Sequence, residues 1–259
     1  MDLVEIIVTS VGGLIVALVG AILGAWLWGW LIRPRVANRG VRVILNFDPG
    51  EDVVFVFPTR RPVEQRKFNQ IAWEDARAID YVLRALAKRN WPMSRIGMRG
   101  ADHFDPNRDW NKNLVIICSP KSNAVCQAAL DELARGRSLE CKFGFKPADR
   151  PEDWEIVFDD FSAKSPSHEE ERQGKTELTD YALLAKVANP RNPHTKMLFV
   201  SGIRAFGTWG AAKYLVEHVN DLYRLFKHRD FAVVLKVTYS VNGWRIDHVE
   251  PTHLHACEA

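Results

Sequence analysis

Long hydrophobic runs are scarce in this 259-residue chain, and so are the usual signatures of chemistry. Its four cysteines, Cys118, Cys126, Cys141 and Cys257, show no CxxC or paired-ligand spacing, so four free thiols are expected rather than a disulfide framework or a Cys-based metal site. GxGxxG, the P-loop, HExxH and GxSxG are all missing. Their absence argues against a standard dinucleotide fingerprint, a Walker-type NTPase, a helical zinc protease and a nucleophile-elbow hydrolase. Asp102, Asp105 and Asp109 crowd one loop without EF-hand spacing and read as turn formers. The formal net charge is only +3, short of the basic stripe of a dedicated nucleic-acid binder. There is no internal repeat.

One long apolar run is present. Ile6 to Ile32 contains no charged side chain, and Arg33, Arg35, Arg39 and Arg42 follow at once. As a helix it would reach about 40 Å, against a hydrocarbon core of roughly 30 Å. The run is too long for a typical signal-peptide core, and the chain begins with acids rather than a basic n-region. All 35 Lys and Arg residues lie from residue 33 onward, with every acid except Asp2 and Glu5. The positive-inside rule then predicts a single-pass inner-membrane protein with its N-terminus outside and its C-terminal domain cytoplasmic, held in the lipid bilayer with Trp26, Trp28 and Trp30 at the headgroups. Gly13, Ala17, Gly20 and Gly24 share one helical face, a route to homo-oligomers. The same residues also fit ordinary membrane-helix composition.

The expected organisation is an anchor (1–33), a juxtamembrane linker (34–51) and one cytosolic domain (52–259). In that domain short β-branched runs alternate with helical patterns. Asp52–Pro58 and Leu114–Cys118 read as buried strands, and a shorter one is expected around Arg95–Met98. Ile71–Arg89 reads as a helix, as does Asn123–Ala134 with Ser122 as its N-cap. Glu155–Phe158 looks like a strand, and the polar stretch Ser162–Thr179 like a mobile loop. Strands Asp180–Val187 and Lys196–Ser201 flank a proline-containing turn. A helix runs from Thr208 to Tyr223, and Phe231–Ser240 with Trp244–Val249 form a hairpin around Val241-Asn242-Gly243. The fold class is α/β: a Rossmann-like three-layer domain with a mostly parallel sheet and a C-terminal antiparallel hairpin.

In such sheets ligands sit outside the carboxyl ends of strands. Three polar turns should meet there. Arg60 follows the first strand, and Lys121, Ser122 and Asn123 follow the third. The third turn belongs to Met197–Lys213, a strand, a glycine turn and a helix, with Gly202, Arg204, Gly207 and Thr208. Glycines there let a ligand approach the main chain, and a helix N-terminus attracts anions. The alternative is a tight turn with Thr208 as N-cap and Gly210-Ala211-Ala212 packing a helix on the sheet. Glu74 and Asp75 begin the first long helix, where acids suit the dipole. Glu74 is the first carboxylate to test as a catalyst of N-glycosidic cleavage. His253, His255 and Cys257 alternate near the C-terminus with His248 nearby, and a polar tail is the commoner reading there than a metal site.

The turns Val53-Val-Phe-Val-Phe-Pro58, Cys118-Ser-Pro-Lys-Ser-Asn123 and Ser201-Gly-Ile-Arg-Ala-Phe-Gly207 give residues 52–250 a pattern that resembles the bacterial SLOG, TIR and nucleoside deoxyribosyltransferase-like domains. The resemblance implies binding or cleavage of a nucleotide-like small molecule, often in bacterial signalling or defence. The expected function is therefore a sensor or effector that binds a nucleotide-like or other anionic ligand. The rival readings are a hydrolase or glycosidase acting on nucleosides, nucleotides or NAD, and a non-catalytic interaction module. No cofactor is specified.

Overall fold

The computed structural model describes residues 39–59, 71–136, 143–147 and 154–257. Helix α1 (Arg39–Ile44) precedes β1 (Val53–Phe57), α2 (Trp73–Lys88), β2 (Ile96–Gly100), the single turn α3 (Pro106–Asp109), β3 (Asn113–Ile117) and α4 (Ala124–Gly136). Three short strands follow, β4 (Phe143–Pro147), β5 (Trp154–Phe158) and β6 (Phe161–Lys164). After α5 (Ser167–Arg172) come the long strands β7 (Glu177–Asn189) and β8 (Asn192–Gly202), then α6 (Ala205–Glu217) and α7 (Val219–Phe226). The hairpin β9 (Asp230–Ser240) and β10 (Arg245–Cys257) completes the described fold.

Seven strands form the main sheet in the order β10-β9-β7-β8-β3-β1-β2, and β4-β5-β6 form a second, antiparallel one. Side chains alternate between two cores, as the two-residue period of a strand requires. Val53, Phe55, Val115 and Ile117 face α1, α2, α6 and α7, whereas Val54, Val56, Leu114 and Ile116 face α4 and the small sheet. On α2 the buried Ala78, Ile79, Val82, Ala85 and Leu86 make one stripe at helical spacing. Residues Val41, Ile44, Leu45 and Phe47, within the stretch read as linker, are buried in the first core.

The sheet is mixed, which corrects the expectation of a mostly parallel one. β2, β1, β3 and β8 pair in parallel, while β8, β7, β9 and β10 pair antiparallel. Connection length is the reason. Two residues separate β7 from β8, enough for a hairpin but far too few for the crossover that parallel neighbours need. The expected loop at 162–179 instead forms most of β6, all of α5 and the start of β7. Glu170 on α5 accepts a hydrogen bond from the Thr179 amide at 2.6 Å and ties the segment down. The single helix expected over 208–223 begins earlier, at Ala205, and breaks at His218 into α6 and α7.

The membrane assignment is also corrected. Among the described residues no helix is long and apolar enough to cross a membrane, so the described fold gives no support to a transmembrane helix, a single-pass inner-membrane placement or its orientation. The run at 6–32, with Gly13, Ala17, Gly20 and Gly24, lies outside the described residues.

Candidate functional site

β1 feeds α2 on one face of the sheet and β3 feeds α4 on the other, although β1 and β3 are neighbours. The chain therefore parts between their carboxyl ends, the place where open α/β sheets leave a crevice. A cavity of about 380 Å³ lies there. Pro58 and Thr59 after β1, Ala72 and Asp75 at the start of α2, Cys118, Lys121 and Ser122 after β3, and Ile203, Arg204 and Ala205 after β8 line it.

Asn123 holds this edge together. It is fully buried, and its amide nitrogen donates to the carbonyls of Ile117 at 2.8 Å and Val56 at 3.2 Å. Its side-chain oxygen accepts from the amides of Val125 at 3.1 Å and Cys126 at 3.4 Å. One side chain thus clamps the ends of β1 and β3 and caps α4, the role expected of Ser122. Asn123 stands behind the wall of the cavity as a brace.

Cys118 turns the chain out of β3 with φ at +76°, a left-handed conformation uncommon for a residue with a Cβ. Burial, then the nearby Asp75 carboxylate, pushes its thiol up to about 12. At neutral pH Cys118 is a thiol, and a poor nucleophile for that reason.

The carboxylate on the cavity wall is Asp75, 3% exposed; the half-buried Glu74 is not on the lining. The reason is helical phase: Asp75 lies on the buried stripe three positions before Ala78 and four before Ile79, whereas Glu74 is one residue off it. Acids in a first helical turn are common on dipole grounds alone, so only the phase of the stripe could have told the two apart.

The glycine turn does not present its main chain to a ligand. A Cβ on Gly202 would stand 2.2 Å from the Thr208 amide, and one on Gly207 would stand 2.5 Å from an Asp180 carboxylate oxygen. Thr208 uses its hydroxyl to accept from the Gly202 amide at 3.0 Å and lies inside α6, whose N-cap is Arg204. Asp180, fully buried on β7, accepts from the amides of Gly207 at 2.8 Å and Arg204 at 3.0 Å. An internal carboxylate thus occupies the helix start predicted to receive an anion. Gly202, Gly207 and Thr208 build the turn, and Gly210 lets α6 approach Val237. From the sequence, Asp180 was only the first residue of an expected strand.

The structure brings Lys121 and Ser122, which are exposed, and the half-buried Arg204 to one cavity from two different loops. Arg60 lies outside the described residues. Burial pushes Asp180 up to about 6, against the pull of its hydrogen bonds. His253 and His255 are in β10 rather than a polar tail: His253 stacks on Phe161, and His255 sits 3.8 Å from Asp159. Among the described residues no group of three or more His, Cys, Asp or Glu is placed to hold a metal ion. No family model, curated protein or solved structure matches the chain.

Proposed function

We propose that the cavity binds a small anionic, nucleotide-like molecule. The observation that carries this reading is the meeting of Lys121 and Arg204 around a cleft at the parting of β1 and β3. Two cations from separate loops suit a phosphate, each contact being charge-assisted. Asp75, deeper in the wall, is an acceptor for hydroxyl or amino groups, as on a ribose or base. A volume of about 380 Å³ is near the lower end of the roughly 300–1,000 Å³ usual for small-molecule sites. That size fits one nucleotide unit better than a dinucleotide.

The buried Asp75 carboxylate also favours one second reading, cleavage of an N-glycosidic bond, in which Asp75 replaces Glu74 as the group that would stabilise an oxocarbenium-like centre. A panel of nucleosides, nucleotides and NAD, scored for both melting shift and product formation, tests the two. A melting shift without product supports binding, and product lost in Asp75→Asn supports the enzyme. If no compound shifts melting or is consumed, both readings fall. A ligand at 100 times its Kd should stabilise the fold by about 2.7 kcal/mol.

A further inference from the structure

Arg204 reaches the cavity from a turn whose geometry is set from beneath. Its own amide and that of Gly207, three residues on, converge on one oxygen of Asp180 at 3.0 and 2.8 Å. Asp180 belongs to β7, and the Ile203 amide donates to the carbonyl of its neighbour Tyr181 at 2.9 Å. The turn from Gly202 to Gly207 is therefore sewn to β7 at three amides. Two of the three bonds are to a carboxylate and strengthen with its charge.

We infer that Asp180, which is absent from the cavity wall, is the positioning residue for Arg204, so that anion affinity depends on the charge of a carboxylate buried beneath the turn. The inference rests on the reading of the cavity as an anion site. Neutralising Asp180 weakens the grip on both amides and lets the Arg204 turn relax, while Lys121 on its separate loop is unaffected. The Ser165 hydroxyl reaches this carboxylate, and the charged and titratable groups around the turn come from three other elements. Arg204 precedes α6, His168 on α5 contacts the Arg204 guanidinium, and Tyr239 on β9 lies close enough for Asp180 to help burial raise its phenol to about 12. Glu171 on α5 adds negative charge near Tyr239. Tyr239 stays neutral below pH 10, whereas the charge of Asp180 changes within the range from pH 5 to 8; the His168→Gln variant separates the imidazole from that change.

The test is calorimetric titration of the full chain with AMP from pH 5 to 8, comparing wild type with Asp180→Asn and His168→Gln. The phosphate of AMP titrates in the same range for every protein, so its effect cancels in the ratio of dissociation constants. The expected ratio of Asp180→Asn to wild type is about tenfold at pH 8 and falls toward one at pH 5, where the wild-type carboxyl is itself protonated. Circular dichroism verifies that the variant is folded, and His168→Gln should retain the wild-type dependence on Asp180. A ratio that is constant with pH, or equal to one throughout, overturns the positioning role while leaving the anion site standing. If AMP and inorganic phosphate fail to bind wild type at any pH, the anion site itself is wrong and the inference goes with it.

Discussion

The Asp180 carboxylate lies 2.8 Å from the Gly207 amide, in the position an anion would take at the start of α6. This contact changes what substitutions in the turn should do. A glycine expected to admit a ligand is instead closed by the protein's own acid.

Gly207→Ala should therefore destabilise the fold rather than selectively weaken binding. Its Cβ would meet Asp180 Oδ2 at 2.5 Å and the Tyr181 carbonyl at 2.7 Å, and such overpacking costs about 1–3 kcal/mol. Gly97→Ala is the control, since its Cβ would find only ordinary contact with Val54 at 3.5 Å. Urea midpoints decide the matter: equal stability for the two variants would contradict the close approach at Gly207.

Asn123→Ala should be among the most costly changes at the sheet edge. It strands the carbonyls of Val56 and Ile117 and removes the cap of α4. Together these losses should amount to about 2–4 kcal/mol, read from denaturant unfolding. A loss below about 1 kcal/mol would mean that the clamp is redundant.

Lys121→Ala and Arg204→Ala should each lower AMP affinity about tenfold, the loss of one charge-assisted contact. Both side chains are outside the apolar cores, so melting temperatures without ligand should stay close to wild type. Calorimetry reads the first effect and a thermal scan the second. Undiminished affinity in the double variant would remove the cavity from consideration as the anion site.

Two buried groups give stability opposite pH trends. Lys186 on β7 donates to Asn46 at 2.9 Å near Asp230, and burial brings its pKa down from 10.5 to about 8. Between those values the unfolded chain binds more protons at this site, so the contribution of Lys186 improves as pH rises from 8 to 10. Asp180 has the reverse sign, its folded pKa being raised from 3.8 to about 6. The folded state binds more protons in that window, so the contribution of Asp180 declines as pH rises from 4 to 6. Urea midpoints of Lys186→Met across pH 8–10 and of Asp180→Asn across pH 4–6 should each lose the corresponding slope. A slope equal to wild type in either variant would reject that assignment.

Local signals made part of this architecture legible. β1 and β3 announce themselves as unbroken apolar runs because both of their faces are covered, and α2 by a stripe at helical spacing. The turns after them could be nominated as one edge because parallel strands align their carboxyl ends. The direction of β7 could not be read from its own residues, since a strand of this composition pairs either way, and the two-residue link to β8 decides it. Tertiary structure alone determined which polar groups face the cavity. Asn123 turns inward to the Val56 carbonyl, 67 residues before it, and Asp180 reaches the α6 start at Arg204, 24 residues on, only through sheet pairing. Each outcome depends on partners distant in the chain, and burial demands that polar groups find such partners wherever the fold brings them.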